Sequence, residues 1–126
     1  MYSFAVNGVA EGSNSVAFSG TSLGDYSFTN GFANYAYGNY CYAEGYYSTA
    51  GEVSGVSEAC HAEGYNSIGS SVTYNNKTYN YGTAVGKGSH CEGYGNVADG
   101  GNYAAHAEGT LTYANGIGAH AEGYSS

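Results

Sequence analysis

From Gly24 onward, small and large residues alternate along the chain in units of seven that are marked by glycine. Unbroken steps run Gly24, Gly31, Gly38, Gly45, then Gly86, Gly93, Gly100, then Gly109, Gly116, Gly123. Within a unit the third and fifth positions are small, as in Ser27/Thr29, Asn34/Ala36, Cys41/Ala43 and Asn96/Ala98. The fourth position is larger: Phe28, Tyr35, Tyr42, His90, Val97. An alternation of period two is the mark of a strand. Each heptad therefore predicts a strand of about five residues and a glycine corner, where φ > 0 carries no steric cost. A coiled coil needs apolar a and d positions and few glycines, so this heptad excludes it.

Two heptads form a coil of about fourteen residues, and stacked coils give parallel strands roughly 4.8 Å apart. The predicted fold is all-β, a parallel β-roll or β-solenoid in one domain spanning residues 1–126. One wall is expected to carry a structural His-Glu ladder: His61/Glu63, His90/Glu92, His106/Glu108 and His120/Glu122. The other is expected to carry a Tyr/Asn ladder through half-coils such as Val97/Asp99 and Tyr113/Asn115. The spacing slips to sixteen residues between Gly93 and Gly109 and to nineteen between Gly45 and Gly64, which calls for bulges or loops. Near the start, SFAVNG and SVAFSG are approximate copies twelve residues apart. Residues 70–81 break the pattern most. Val72-Thr73-Tyr74 and Lys77-Thr78-Tyr79 flank Asn75-Asn76, predicting a hairpin that protrudes from the stack. It reads either as a plain insertion or as a partner-binding knob of Tyr74, Asn75, Asn76, Lys77, Tyr79 and Tyr81.

Composition narrows the picture. With two Leu, two Ile, no Trp, 22 Gly and 16 Tyr, burial must come from Ala, Val, Phe and tyrosine rings. A net charge of −8, with Lys77 and Lys87 the only cations besides histidine, argues against nucleic acid and anionic membranes as partners. No stretch predicts a membrane span, and MYSFAVNGVAEG lacks the basic start and apolar run of a signal peptide. Cys41, Cys60 and Cys91 lack zinc-type spacing and fall at small positions, so they are read as packed thiols.

The segments YCYAEGYYSTAG, CHAEGYNS, SHCEGYG and AHAEGTLTYANGIGAHAEG resemble the head repeats of YadA-like trimeric autotransporter adhesins and, more closely, the SHAEG repeats of phage tail fibres and tailspikes. The resemblance spans nearly the whole chain except residues 70–81. It implies a left-handed, trimeric β-roll on an extracellular fibre or virion surface that attaches to a host. Coiled-coil stalk, membrane anchor and autoproteolytic domain are not seen, so a head or shaft module is expected.

Chemistry is weighed on that frame. Stacked Glu92, Glu108 and Glu122 would repel one another, and the companion histidines are expected to oppose this by hydrogen bonding or ion pairing, tunable near pH 6 to 7. Zinc or nickel at the ladder is the lesser alternative, because no sequence cue fixes a coordination geometry; the reading carries no metal and no cofactor. Calcium is weaker still, with Asp25 and Asp99 the only aspartates. No catalytic set stands out from the repeat, so no enzyme activity is expected. The leading expectation is a structural and adhesive module of a trimeric fibre that binds a cell-surface glycan or protein. A subunit of a self-assembling filament is the alternative, and a glycan hydrolase the third.

Overall fold

In the computed structural model of the chain, the alternation resolves into two walls of parallel strands that share an interior of very small side chains. The structure describes residues 2–52, 58–65, 71–74, 76–80 and 82–126. The long wall has eight strands in the order β1 (Phe4–Val6), β3 (Val16–Phe18), β5 (Phe28–Phe32), β7 (Tyr42–Tyr46), β9 (His61–Tyr65), β13 (His90–Tyr94), β15 (His106–Thr110) and β17 (His120–Tyr124). The short wall has seven: β2 (Val9–Ala10), β4 (Thr21–Ser22), β6 (Tyr35–Ala36), β8 (Thr49–Ala50), β12 (Thr83–Val85), β14 (Val97–Asp99) and β16 (Tyr113–Asn115). The chain winds from one wall to the other and back, so it is a β-solenoid of about seven turns, as the heptads predict. Among the described residues there is no helix, and none long and apolar enough to cross a membrane.

Register is kept although coil length is not. Phe4, Val16, Phe28, Tyr42, His61, His90, His106 and His120 align rung by rung on the long wall, across coils of 12, 12, 14, 19, 29, 16 and 14 residues. The extra residues leave the wall through loops. The two opening coils are shorter because β1 and β3 have three residues where later strands of this wall have five. The added pair is a glycine followed by an aromatic or Thr: Gly31-Phe32, Gly45-Tyr46, Gly64-Tyr65, Gly93-Tyr94, Gly109-Thr110 and Gly123-Tyr124.

This corrects the expected role of half the glycines. Gly45 lies inside β7 and not at a corner, with φ +99°, and a Cβ there would meet the carbonyl oxygen of Gly64 at 2.1 Å. The corner itself is turned by the next residue in the left-handed region, a non-glycine at Asn7, Ser19, Ala33, Tyr47 and Leu111, with φ between 53° and 59°, and a glycine at Gly95, with φ 67°. The short wall also departs from expectation. Its aligned outward positions read Val9, Thr21, Tyr35, Thr49, Thr83, Val97, Tyr113, so tyrosines do not form a ladder there.

Ala17, Ala36, Ala43, Ala50, Ala62, Ala84, Ala98 and Ala107 are fully buried, with Cys41, Cys60 and Cys91 among them. Side chains this small let the two walls approach closely, and dispersion contacts replace the usual branched aliphatic core. The three thiols are unpaired. Burial pushes that of Cys91 up to about 12, which keeps it neutral and unreactive. Two buried amides staple coil to coil. Asn34 Nδ2 donates to the carbonyls of Asn30 (2.7 Å) and Gly45 (3.0 Å), and its Oδ1 accepts from the Ser48 amide at 2.8 Å. Asn96 repeats the device: it donates to the carbonyls of Glu92 and Gly109 and accepts from the Thr112 amide and hydroxyl. Every polar group of each amide thus finds a partner, as burial requires.

β10 (Ser71–Tyr74) and β11 (Lys77–Asn80) pair antiparallel, with Tyr74 opposite Lys77 and Asn76 in the left-handed region at φ 61°. Asn75 and Tyr81, named with the expected hairpin, lie outside the described residues, as does residue 70. The hairpin is tied to the stack. Lys77 Nζ stands 3.3 Å from Glu52 and 3.4 Å from Asp99 on β14. At this place β12 and β14 are buried at all three residues, in contrast to the half-open strands elsewhere.

Candidate functional site

The outer face of the long wall gathers the candidate residues because register repeats each position every coil. His61, His90, His106 and His120 stack with ring centroids 4.6, 4.9 and 4.9 Å apart, and planes within 14° of parallel. Two residues on, Glu44, Glu63, Glu92, Glu108 and Glu122 occupy matching positions on consecutive strands. The structure therefore brings together all eight ladder residues named from the sequence. It also adds Glu44, and it puts Tyr42 in the histidine position of that coil. The signal for these two was the segment YAEGY at 42–46, which differs from HAEGY at 61–65 only in its first residue.

Imidazole and carboxylate face each other without hydrogen bonding. His61 Nε2 is 3.8 Å from Glu63 Oε2 and 4.0 Å from Glu44 Oε1. His90 Nε2 lies 3.5 Å from Glu63 Oε1 and 3.6 Å from Glu92 Oε2. Its neighbours repeat the contact within their own strands, His106 to Glu108 at 3.4 Å and His120 to Glu122 at 3.7 Å. The Nε2 atoms of His61, His90 and His106 are enclosed by their neighbours and have no hydrogen-bond partner. A shallow groove lined by Gly88, Ala104, Ala105, Gly118 and Ala119 runs along the edges of His90, His106 and His120.

Charge crowding sets the proton positions. Burial, together with hydrogen bonds to Glu92 and Glu44, pushes the Glu63 carboxyl up to about 7. Glu92 is held below the ordinary carboxylate range, chiefly by its side-chain interaction with Glu63, so the two carboxyls titrate as a pair. Burial and the flanking His61 and His106 hold His90 below the ordinary imidazole value. Tyr42 donates to Glu44 at 2.7 Å, and this bond raises the phenol to about 12.

Beside the ladder runs a row of rings supplied by the residue after the strand glycine. Phe32 stacks on Tyr46 at 5.5 Å, Tyr46 on Tyr65 at 5.0 Å, and Tyr65 on Tyr94 at 5.9 Å, with planes within 17° of parallel. Phe32, Tyr65, Tyr94 and Tyr124 are exposed to solvent. A second column on the histidine positions runs Phe4, Phe18, Phe28, Tyr42 before giving way to imidazoles, Phe18 entering from the glutamate position of its strand. The hairpin residues stand apart from this face: Lys77 is engaged with Glu52 and Asp99 of the short-wall side.

Comparison of the chain with protein-family models, with curated proteins and with solved structures finds no match.

Proposed function

We propose that the chain is a structural and adhesive module of a trimeric extracellular fibre, and that it holds a cell-surface glycan or protein against the exposed aromatic row of its long wall. The observation that carries this reading is the comb Phe32, Tyr46, Tyr65, Tyr94, whose rings stand 5.0 to 5.9 Å apart on consecutive rungs. Parallel rings fixed by backbone register offer a ridged surface of ring edges and phenol hydroxyls to sugar rings or apolar side chains, with little rotamer entropy left to lose on binding. The motif resemblance to YadA-like heads and tail-fibre repeats supports the trimer and the surface location. A binding screen against an array of cell-surface glycans tests the adhesive part. The Tyr65→Ser, Tyr94→Ser double variant is expected to lose the signal, and no glycan or surface-protein binding by the native protein overturns it. Light scattering on the purified chain tests the trimer.

The alternative, a subunit of a self-assembling filament, draws on β1 and β17, the edge strands of one continuous parallel wall, which expose Phe4 and Tyr124. Open edges of this kind template further pairing. Negative-stain microscopy separates the two readings: discrete particles favour the first, long threads the second.

A further inference from the structure

The glutamate column lacks a matching column of fixed positive charge. Of the chain's two lysines, Lys77 is bound to Glu52 and Asp99, and Lys87 lies 3.1 Å from Glu58. What faces the carboxylates is imidazole nitrogen. The separations there, 3.5 to 3.8 Å from His90 and His61 Nε2 to the two oxygens of Glu63, are too long for hydrogen bonds. They are close to the spacing of two donors on one ion, about 3.3 Å for tetrahedral bonds of about 2.0 to 2.1 Å, and the His61 and His90 rings, stacked 4.6 Å apart, have to turn toward each other for both Nε2 atoms to reach it. One ligand atom each from His61, Glu63 and His90 lie within 4.8 Å of one another. Two of these atoms are the enclosed imidazole nitrogens that have no partner of their own.

We propose that His61, Glu63 and His90 bind a divalent transition-metal ion, zinc foremost, across the gap between β9 and β13. Two imidazoles and one carboxylate form a borderline nitrogen-oxygen set, which selects zinc, nickel or copper over the all-oxygen preference of calcium and magnesium. Because the ligands come from adjacent coils, 29 residues apart at His61 and His90, the ion joins the two rungs flanking the hairpin insertion. The outer face leaves a fourth position for water or a ligand from another molecule. The sets Glu92, His106, Glu108 and Glu108, His120, Glu122 are similarly grouped but offer only one imidazole each, and bind more weakly.

The experiment is equilibrium dialysis of the chelator-stripped full chain against zinc chloride, with magnesium and calcium chloride as controls, read by elemental analysis. At least one zinc per chain is expected at micromolar concentration, with a rise in melting temperature that chelator reverses. Glu63→Gln and His90→Asn preserve side-chain shape and are expected to weaken zinc binding by about tenfold or more with an unchanged circular dichroism spectrum. Less than one zinc per chain, or unaltered binding in both variants, overturns the proposal. Should either variant misfold, cobalt(II) added to the native protein decides it: visible bands of a nitrogen-oxygen site support the assignment, and the spectrum of the hydrated ion overturns it.

Discussion

Gly45 and Gly64 lie one above the other on adjacent strands, so close that a methyl group on Gly45 would sit 2.1 Å from the carbonyl oxygen of Gly64. The same near contact recurs from Gly64 to Gly93, Gly93 to Gly109 and Gly109 to Gly123. Two separate demands meet at Gly45, a positive φ and an absent Cβ. At Gly118 only the first applies, since φ is +68° and a methyl group there would have nothing within 4 Å. Gly118→Ala is therefore expected to cost about 1 kcal/mol. Gly45→Ala is expected to cost more than about 3 kcal/mol, because backbone of the next coil has to move. Urea unfolding of the two variants measures the difference.

The converse holds at corners where a side chain is forced into the left-handed region. Ala33 turns its corner at φ 54°. Ala33→Gly relieves that strain but loosens the unfolded chain, and the balance is expected to stabilise by about 0.5 kcal/mol. An unfolding midpoint below that of the native chain would contradict the assignment of strain.

Asn96 reaches the carbonyls of two different coils and accepts from Thr112. Asn96→Ala strands these buried groups and is expected to cost about 2 to 4 kcal/mol. Asn96→Asp is expected to be no better, since a carboxylate cannot donate to Glu92 and Gly109. Amide hydrogen exchange at Thr112 reports the loss locally.

The ladder predicts a pH dependence of definite sign in chelated buffer. Glu63 is raised from the ordinary 4.5 to about 7. Its contribution is thus fully present below about 4.5 and lost as pH rises through about 7. His90, lowered from 6.5, works the other way: its contribution is present above that value and lost as pH falls below it. Glu92 and Glu44 face Glu63, while His61, His106, Glu92 and Glu108 face His90. Glu63→Gln imitates the protonated carboxyl and is expected to melt a few degrees above the native chain at pH 8 but level with it at pH 5. Equal melting temperatures at both values would show that the carboxylates are not crowded.

The alternation of small and large residues was enough to place strands, interior and the His-Glu ladder, because each is a property of one coil repeated. Gly45 was misplaced at a corner because a heptad count gives the interval between glycines and not the dihedral at each. The staples at Asn34 and Asn96 were visible only as an oddity, a bulky polar residue at a position otherwise Ser, Thr, Ala or Cys. One partner of each lies four residues back, but the others lie 11 to 16 residues away, on the neighbouring coil, where local pattern says nothing. Lys77 read as available to a partner for the same reason: its counter-charges Glu52 and Asp99 come near only when the coils are stacked.

That the walls stay in step while coil length runs from 12 to 29 residues has an evolutionary corollary. Reach and ornament are inherited separately: duplicating one coil lengthens the molecule by a rung of roughly 4.8 Å, whereas lengthening one loop redecorates its side and leaves the ruler unchanged.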